Sequence, residues 1–233
     1  MHIYCVNLER RSDRRTQVQQ EFDREGLAVE FFRATDGRVE APDGIYTSAA
    51  EYGCSMSHVR IWRDAVSKGY DMALVLEDDV RLVPDFKSKL ETILKDAEGY
   101  PWDIINLGPI VPIVRSPLTS NIYEGQPLGT HAYVIRKECA ERISLFDPEL
   151  MKVGIDYQLN RYPIHILCVY EPLAKQEDIE SGIFTGLIKS TIKGDIGLER
   201  TFDYTYLFRL GCQRFKIVII MVFIALLVYY MTR

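Results

Sequence analysis

Met72-Ala73-Leu74-Val75-Leu76-Glu77-Asp78-Asp79 is the stretch on which the fold of this 233-residue chain turns. Five consecutive apolar residues, bounded by polar ones, are what a strand buried on both faces of a largely parallel sheet looks like. The run breaks off into three acids. At the C-terminal end of a strand in an open α/β sheet, where ligands bind, carboxylates are placed for chemistry.

Working outward, residues 2–7 (HIYCVN) predict a first strand. Ser12 is then the expected N-cap of a helix that turns Val18 and Phe22 inward and stops at Gly26. A second strand is expected over 29–34. A loop with Gly37, Pro42 and Gly44 leads to a helix from about Ser48 to Lys68, ended by Gly69. Beyond the central run, strands are expected over 102–107, 130–135 and 164–170, and helices over 85–97, 137–145 and 156–161. Alternation of this kind predicts a layered α/β domain with a central, mostly parallel sheet. The main domain is expected over residues 1–186, with a polar connector over 187–214.

Composition narrows the class. With 47% hydrophobic and 26% charged residues the body is globular rather than disordered. A net charge of −5 speaks against phosphate-backbone binding, so nucleic acid is not an expected partner. Five cysteines, with no C-x-x-C pair and no cluster of zinc-finger spacing, speak against a structural zinc. Without a signal peptide or an Asn-x-Ser/Thr acceptor, the body is expected to face a reducing compartment. Residues 217–231 (IVIIMVFIALLVYYM) are uncharged and almost wholly apolar. A transmembrane helix over 215–231 is therefore expected as a single-pass anchor. Arg209, Arg214 and Lys216 precede the apolar run that starts at Ile217 and only Arg233 follows it, a bias from which the domain is expected on the cytoplasmic side.

Three groups of residues carry chemistry. Adjacent carboxylates at 77–79 raise one another's pKa, a cost that a divalent cation removes. In an extended segment Glu77 and Asp79 face one side, so they are the expected metal ligands; the alternative is a solvated turn. Around Glu51, Cys54, Ser57, His58 and Trp62, helical spacing brings His58 to the edge of the core, where it either packs or lines a pocket. Cys54 reads as a small buried hydrophobe. Arginines at 10, 11, 14 and 15 could receive a diphosphate at a helix start or form a solvated face.

In order and spacing these segments resemble glycosyltransferase family 25, the lipopolysaccharide-type and procollagen-type galactosyltransferases. The resemblance rests on Asn7-Leu8-Glu9-Arg10-Arg11-Ser12-Asp13-Arg14, on Phe32-Arg33-Ala34-Thr35-Asp36-Gly37, on Glu51, Gly53, Cys54, Ser57, His58 and Trp62, and on Leu76-Glu77-Asp78-Asp79-Val80. Gly129 to Ile135, Ile155-Asp156 and Gln176 extend it. It implies a GT-A-like nucleotide-sugar-binding fold and an inverting transfer of a hexose, galactose foremost, from a UDP-sugar with manganese or magnesium. The acceptor would be a hydroxyl of a saccharide or other glycoconjugate, a lipid-linked one suiting a membrane-tethered enzyme. Glu77 and Asp79 would hold the metal, and Asp78 would serve the sugar or steady the ligands. Asn7, Leu8, Arg11, Thr35, Asp36 and Gly37 would surround the nucleotide, with Ser57 and His58 lining the pocket. Asp156 is the expected base, Glu51 the second candidate and His131 a weaker one. Two rivals remain: a catalytically silent membrane-anchored binding protein on the same scaffold, and a nucleotidyltransferase, for which no Gly-rich phosphate loop is present.

Overall fold

The computed structural model describes residues 1–42, 48–145 and 154–176. The connector and the apolar segment expected over 187–231 lie outside the described residues, and among those described no helix is long and apolar enough to cross a membrane.

The elements run β1 (His2–Asn7), α1 (Ser12–Glu25), β2 (Glu30–Arg33), α2 (Gly37–Glu40), α3 (Ala49–Ser67), β3 (Met72–Glu77), β4 (Val80–Leu82) and α4 (Phe86–Ala97). They continue with β5 (Ile104–Asn106), β6 (Ile110–Pro117), β7 (Ile122–Leu128), β8 (Ala132–Arg136), α5 (Lys137–Ile143), α6 (Ile155–Leu159), β9 (Ile166–Val169) and β10 (Ala174–Gln176). Among the described residues eight strands form one sheet in the order β2-β1-β3-β8-β5-β9-β7-β6, and β4 pairs with β10 in a second. Strands β1, β2 and β3 are mutually parallel, β5 parallels β9, and β8 and β7 run against their neighbours. Most strands thus share a direction, with two reversed.

The apolar run of β3 has a physical reason: side chains alternate between two cores. Ala73 and Val75 pack with Val59, Ile61 and Trp62 of α3 and with α5 and α6. Leu74 and Leu76 pack on the other face with Val18 and Phe22 of α1 and with Phe86 and Leu90 of α4. Because α1 and α3 cover opposite faces and β1 lies between β2 and β3, the chain parts at the C-terminal end of β1. That is the switch point where an α/β sheet opens a crevice.

Two local expectations are corrected. The N-cap of α1 is Arg11, not Ser12, which is already helical. The Arg11 N–H donates to the Leu8 carbonyl at 2.8 Å, closing a turn that starts the helix one residue early. The acidic run is also not extended: β3 ends at Glu77, and Asp78 and Asp79 form a turn into β4. Strand alternation therefore does not govern where those two side chains point. At α3 the expectation holds, since Ser48 caps the helix by accepting the Glu51 N–H at 3.1 Å while its hydroxyl donates to the Glu51 carboxylate at 3.0 Å.

Candidate active site

A cleft of about 440 Å³ opens at the C-terminal ends of β1, β2 and β3. Its walls come from the loop after β1 (Leu8, Arg10), the segment from Ala34 to Arg38, the start of α3 and the tip of β3. Two glycines let these walls meet. A Cβ on Gly37 would overlap the Ala49 carbonyl, and one on Gly53 would lie 2.7 Å from the Thr35 carbonyl oxygen. Only glycine allows so close an approach of α3 to the 35–37 segment. Ser57 fastens the contact: its hydroxyl donates to the Gly53 carbonyl at 2.6 Å and accepts the Thr35 N–H at 2.8 Å. Asp36 caps α2 through the Arg38 N–H and takes the Arg10 guanidinium at 2.7 Å. That hydrogen bond holds its carboxyl below the usual value.

At the acidic tip each carboxylate has different partners. Glu77 accepts from His58 Nε2 at 3.3 Å and from the Thr130 hydroxyl at 3.1 Å. Burial alone would raise its pKa, but the bonds to His58 and Thr130 and the nearby His131 bring it below the ordinary value. His58 is itself oriented from behind. Its Nδ1 lies 2.9 Å from the Tyr133 hydroxyl, which accepts the Trp62 indole N–H at 2.8 Å. A proton on Nε2 satisfies this whole chain: Trp62 donates to Tyr133, Tyr133 to His58, and His58 to Glu77.

Asp78 accepts from Asn7 at 2.7 Å and from Arg14 at 3.1 Å. Asp79 accepts through one oxygen from Arg14 at 3.2 Å and from Gln176 at 3.0 Å. Its other oxygen, Oδ1, is buried with no hydrogen-bond partner among the described residues. Burial, then the Glu77 charge, push its pKa up to about 6 against the opposing pull of Gln176 and Arg14. Thr35 Oγ1 and His131 Nδ1 are likewise buried without partners. These three atoms lie in or beside the cleft, while Trp102 Nε1, Arg136 Nε and Asn160 Oδ1 are buried without partners elsewhere among the described residues.

The structure brings most of the expected residues together. Leu8, Thr35, Asp36, Gly37, Ser57, His58, Glu77 and Asp78 line the cleft. Asn7 lies behind it, its amide donating to Asp78 and to the Arg11 carbonyl. Arg11 is not among the lining residues and its guanidinium pairs with Asp13; Arg10 and Arg14 line the cleft instead. Asp156 and Glu51 stand off the cleft walls but share one spot: a Cβ on Gly154 would lie 3.1 Å from an Asp156 oxygen and 4.0 Å from a Glu51 oxygen. Asp156 accepts the Gly129 N–H at 3.1 Å and the Tyr157 N–H at 2.7 Å, which fixes its orientation. Gly129 holds φ at +85°, a conformation that favours glycine. Histidine 131 is buried, its Nε2 lying 3.3 Å from the Ala174 carbonyl oxygen, and burial lowers its pKa. Sequence reasoning missed Arg14 as the bridge between Asp78 and Asp79, and Thr130 and Tyr133 as supports. Only contacts between parts of the chain far apart in sequence reveal them.

Residues 1–110 match the family model described as Glycosyltransferase family 25 (LPS biosynthesis protein). Over that stretch the chain is similar to glycosyltransferase family 25. The family 25 match holds the β1–β3 cleft walls and the acidic tip, while Thr130, His131, Asp156 and Gln176 lie beyond it. A "Glycosyltransferase 25 family member" of Aedes aegypti is 38% identical over 126 residues, covering 46% of this chain and 21% of that protein. "Procollagen galactosyltransferase 1" of Danio rerio is 27% identical over 192 residues, covering 70% of this chain and 32% of that protein. A "Probable inactive glycosyltransferase 25 family member 3" of Bos taurus is 27% identical over 179 residues, covering 66% and 30%. The chain thus spans less than a third of the length of each of these relatives.

Proposed function

We propose that the chain is a metal-dependent glycosyltransferase of GT-A-like layout. It would move a hexose, galactose foremost, from a UDP-sugar to a hydroxyl of a saccharide or other glycoconjugate. One observation carries the reading: the unpartnered, buried Oδ1 of Asp79 beside Glu77, at the end of the central strand and next to a cleft that also presents Arg10 and Arg14. The donor set fits a divalent cation, since carboxylate oxygens suit manganese or magnesium and the vacant acceptor needs a positive partner. Glu77 and Asp79 would hold the ion. Bound there, it supplies positive charge against the departing nucleoside diphosphate.

The chain's own residues do the rest. Asn7 and Arg14 steady Asp78 and Asp79, so the acidic turn is set before substrate arrives. Arg10 and Arg14 meet the diphosphate, and Thr35 and Asp36 face the nucleoside. In an inverting displacement a carboxylate must take the proton of the attacking hydroxyl. Asp156 is our choice for this base and Glu51 the second. The procollagen galactosyltransferase relative supports galactose as the first donor to try.

The test is a melting experiment followed by turnover. UDP-galactose with manganese should stabilise the protein by about 2.7 kcal/mol at a hundred times its Kd, and far less without metal. Asp79→Ala should keep the fold and lose the manganese-dependent part of both stabilisation and UDP release. Metal-independent turnover by that variant would refute the assignment. The relative named inactive favours a second reading, a scaffold that binds the donor without transferring it; stabilisation with no UDP release under any acceptor would select that reading.

We further propose that residues 215–231 anchor the protein in a membrane with the domain on the cytoplasmic side. The uncharged apolar run and the basic residues preceding it support this. Deleting residues 215–233 should move the protein from the membrane pellet to the supernatant, and an unchanged distribution would reject the anchor.

A further inference from the structure

Glu77 has neighbours that an oxygen-seeking ion does not use. Cys54 and His58 stand four residues apart on α3, so their side chains project from one face of the helix. The tip of β3 brings Glu77 up to the same face. The Cys54 sulfur, a His58 ring nitrogen and a Glu77 oxygen all lie within 4.8 Å of one another, and all three residues line the cleft. A tetrahedral zinc, bound at about 2.0–2.3 Å, holds its ligand atoms roughly 3.3–3.7 Å apart. Rotamer adjustments of a fraction of an ångström to about one ångström reach that geometry.

We propose that this thiol, imidazole and carboxylate form a binding site for a thiophilic divalent cation of the zinc type, distinct in ligand chemistry from the manganese set. Sulfur and imidazole select for such an ion, and three protein ligands leave a fourth position open to the cleft for water or a phosphate oxygen. On binding, the Cys54 thiol releases its proton to solvent as the S–metal bond forms. The His58 ring proton moves by way of solvent from Nε2 to Nδ1, and the Tyr133 hydroxyl, 2.9 Å away, turns its own O–H aside and changes from donor to acceptor of that bond. A metal-bound histidine is regularly held by its other nitrogen in this way. The site stands without the glycosyl-transfer reading, but it shares Glu77 with it, so the two cations compete.

The test uses the full-length protein stripped of metal. Cobalt titration should produce a near-ultraviolet thiolate-to-cobalt charge-transfer band that saturates at one ion per chain and is erased by zinc. Cys54→Ser should abolish the band, and Glu77→Gln should weaken cobalt binding at least tenfold. As a measure that needs no variant, zinc should slow alkylation of Cys54 in the wild-type protein, read by mass spectrometry. A band that persists in Cys54→Ser, or the absence of both band and protection in the wild type, would overturn the proposal. Manganese should raise the apparent Kd for cobalt. Cobalt binding untouched by manganese would uphold the thiolate site and count against Glu77 as a manganese ligand.

Discussion

Tyr133 shows how much can hang on a single hydroxyl. It is buried, it accepts from Trp62, and it orients the ring that in turn bonds Glu77. Tyr133→Phe would leave the Trp62 indole N–H and His58 Nδ1 buried without partners. The expected loss is about 1–3 kcal/mol of stability, read from the urea midpoint at unchanged m-value. Its place beside His58 was not legible in the sequence, because 75 residues separate the two partners. The glycines at 37 and 53 stood out in the sequence, but the reason for them did not, since close approach of two backbones leaves no mark on either one. Cys54 reads as a packing residue in the sequence for a similar reason: its spacing to His58 is visible there, whereas the arrival of Glu77 from β3 is not.

Strands and helices were easier to foresee where the pattern was long. The run at 72–76 and the capped helix at Ser48 appear within a residue or so of expectation, because burial on two faces and a side-chain cap are both written locally. The β6–β7 hairpin was not foreseen. Its prolines, its bulges and the short β4–β10 pair that delivers Gln176 to Asp79 depend on contacts made across the fold. Between α3 and β1 one link is open to titration. Asp64 accepts the Tyr4 hydroxyl at 2.5 Å and pairs with Lys68 at 2.8 Å. Burial pushes the Asp64 pKa up, yet Lys68 and Tyr4 outweigh it and the net shift is downward. A depressed carboxyl stabilises the fold fully above its unfolded value of about 3.9, and that contribution fades as pH falls through the folded value. Asp64→Asn should therefore cost about 0.5–1.5 kcal/mol at pH 7, with the gap to wild type closing toward pH 2 in parallel urea titrations. A gap that widened in acid would contradict the assignment.

Across the whole molecule, one reversed strand decides what the cleft contains. Because β8 runs against β3, its start lies at the finish of β3, and the Glu77 N–H meets the His131 carbonyl at 2.8 Å. Thr130 and His131 thus reach the acidic tip from a part of the chain beyond the matched family segment, a meeting that the strand pairing reveals and the sequence pattern does not. The sheet also has to end somewhere. Among the described residues it closes on one side with β2, four residues long with Glu30 and Arg33 at its ends, and on the other with β6. The latter is eight residues long, a length that invites a neighbouring molecule to add a strand. Pro112 and Pro117 interrupt its row of amide donors, and register shifts break its line further. Replacing Pro112 with valine should leave the monomer folded yet raise light scattering on prolonged incubation. The cyclic side chains at this border remove amide donors that a second copy would need, which makes it a poor template for strand addition.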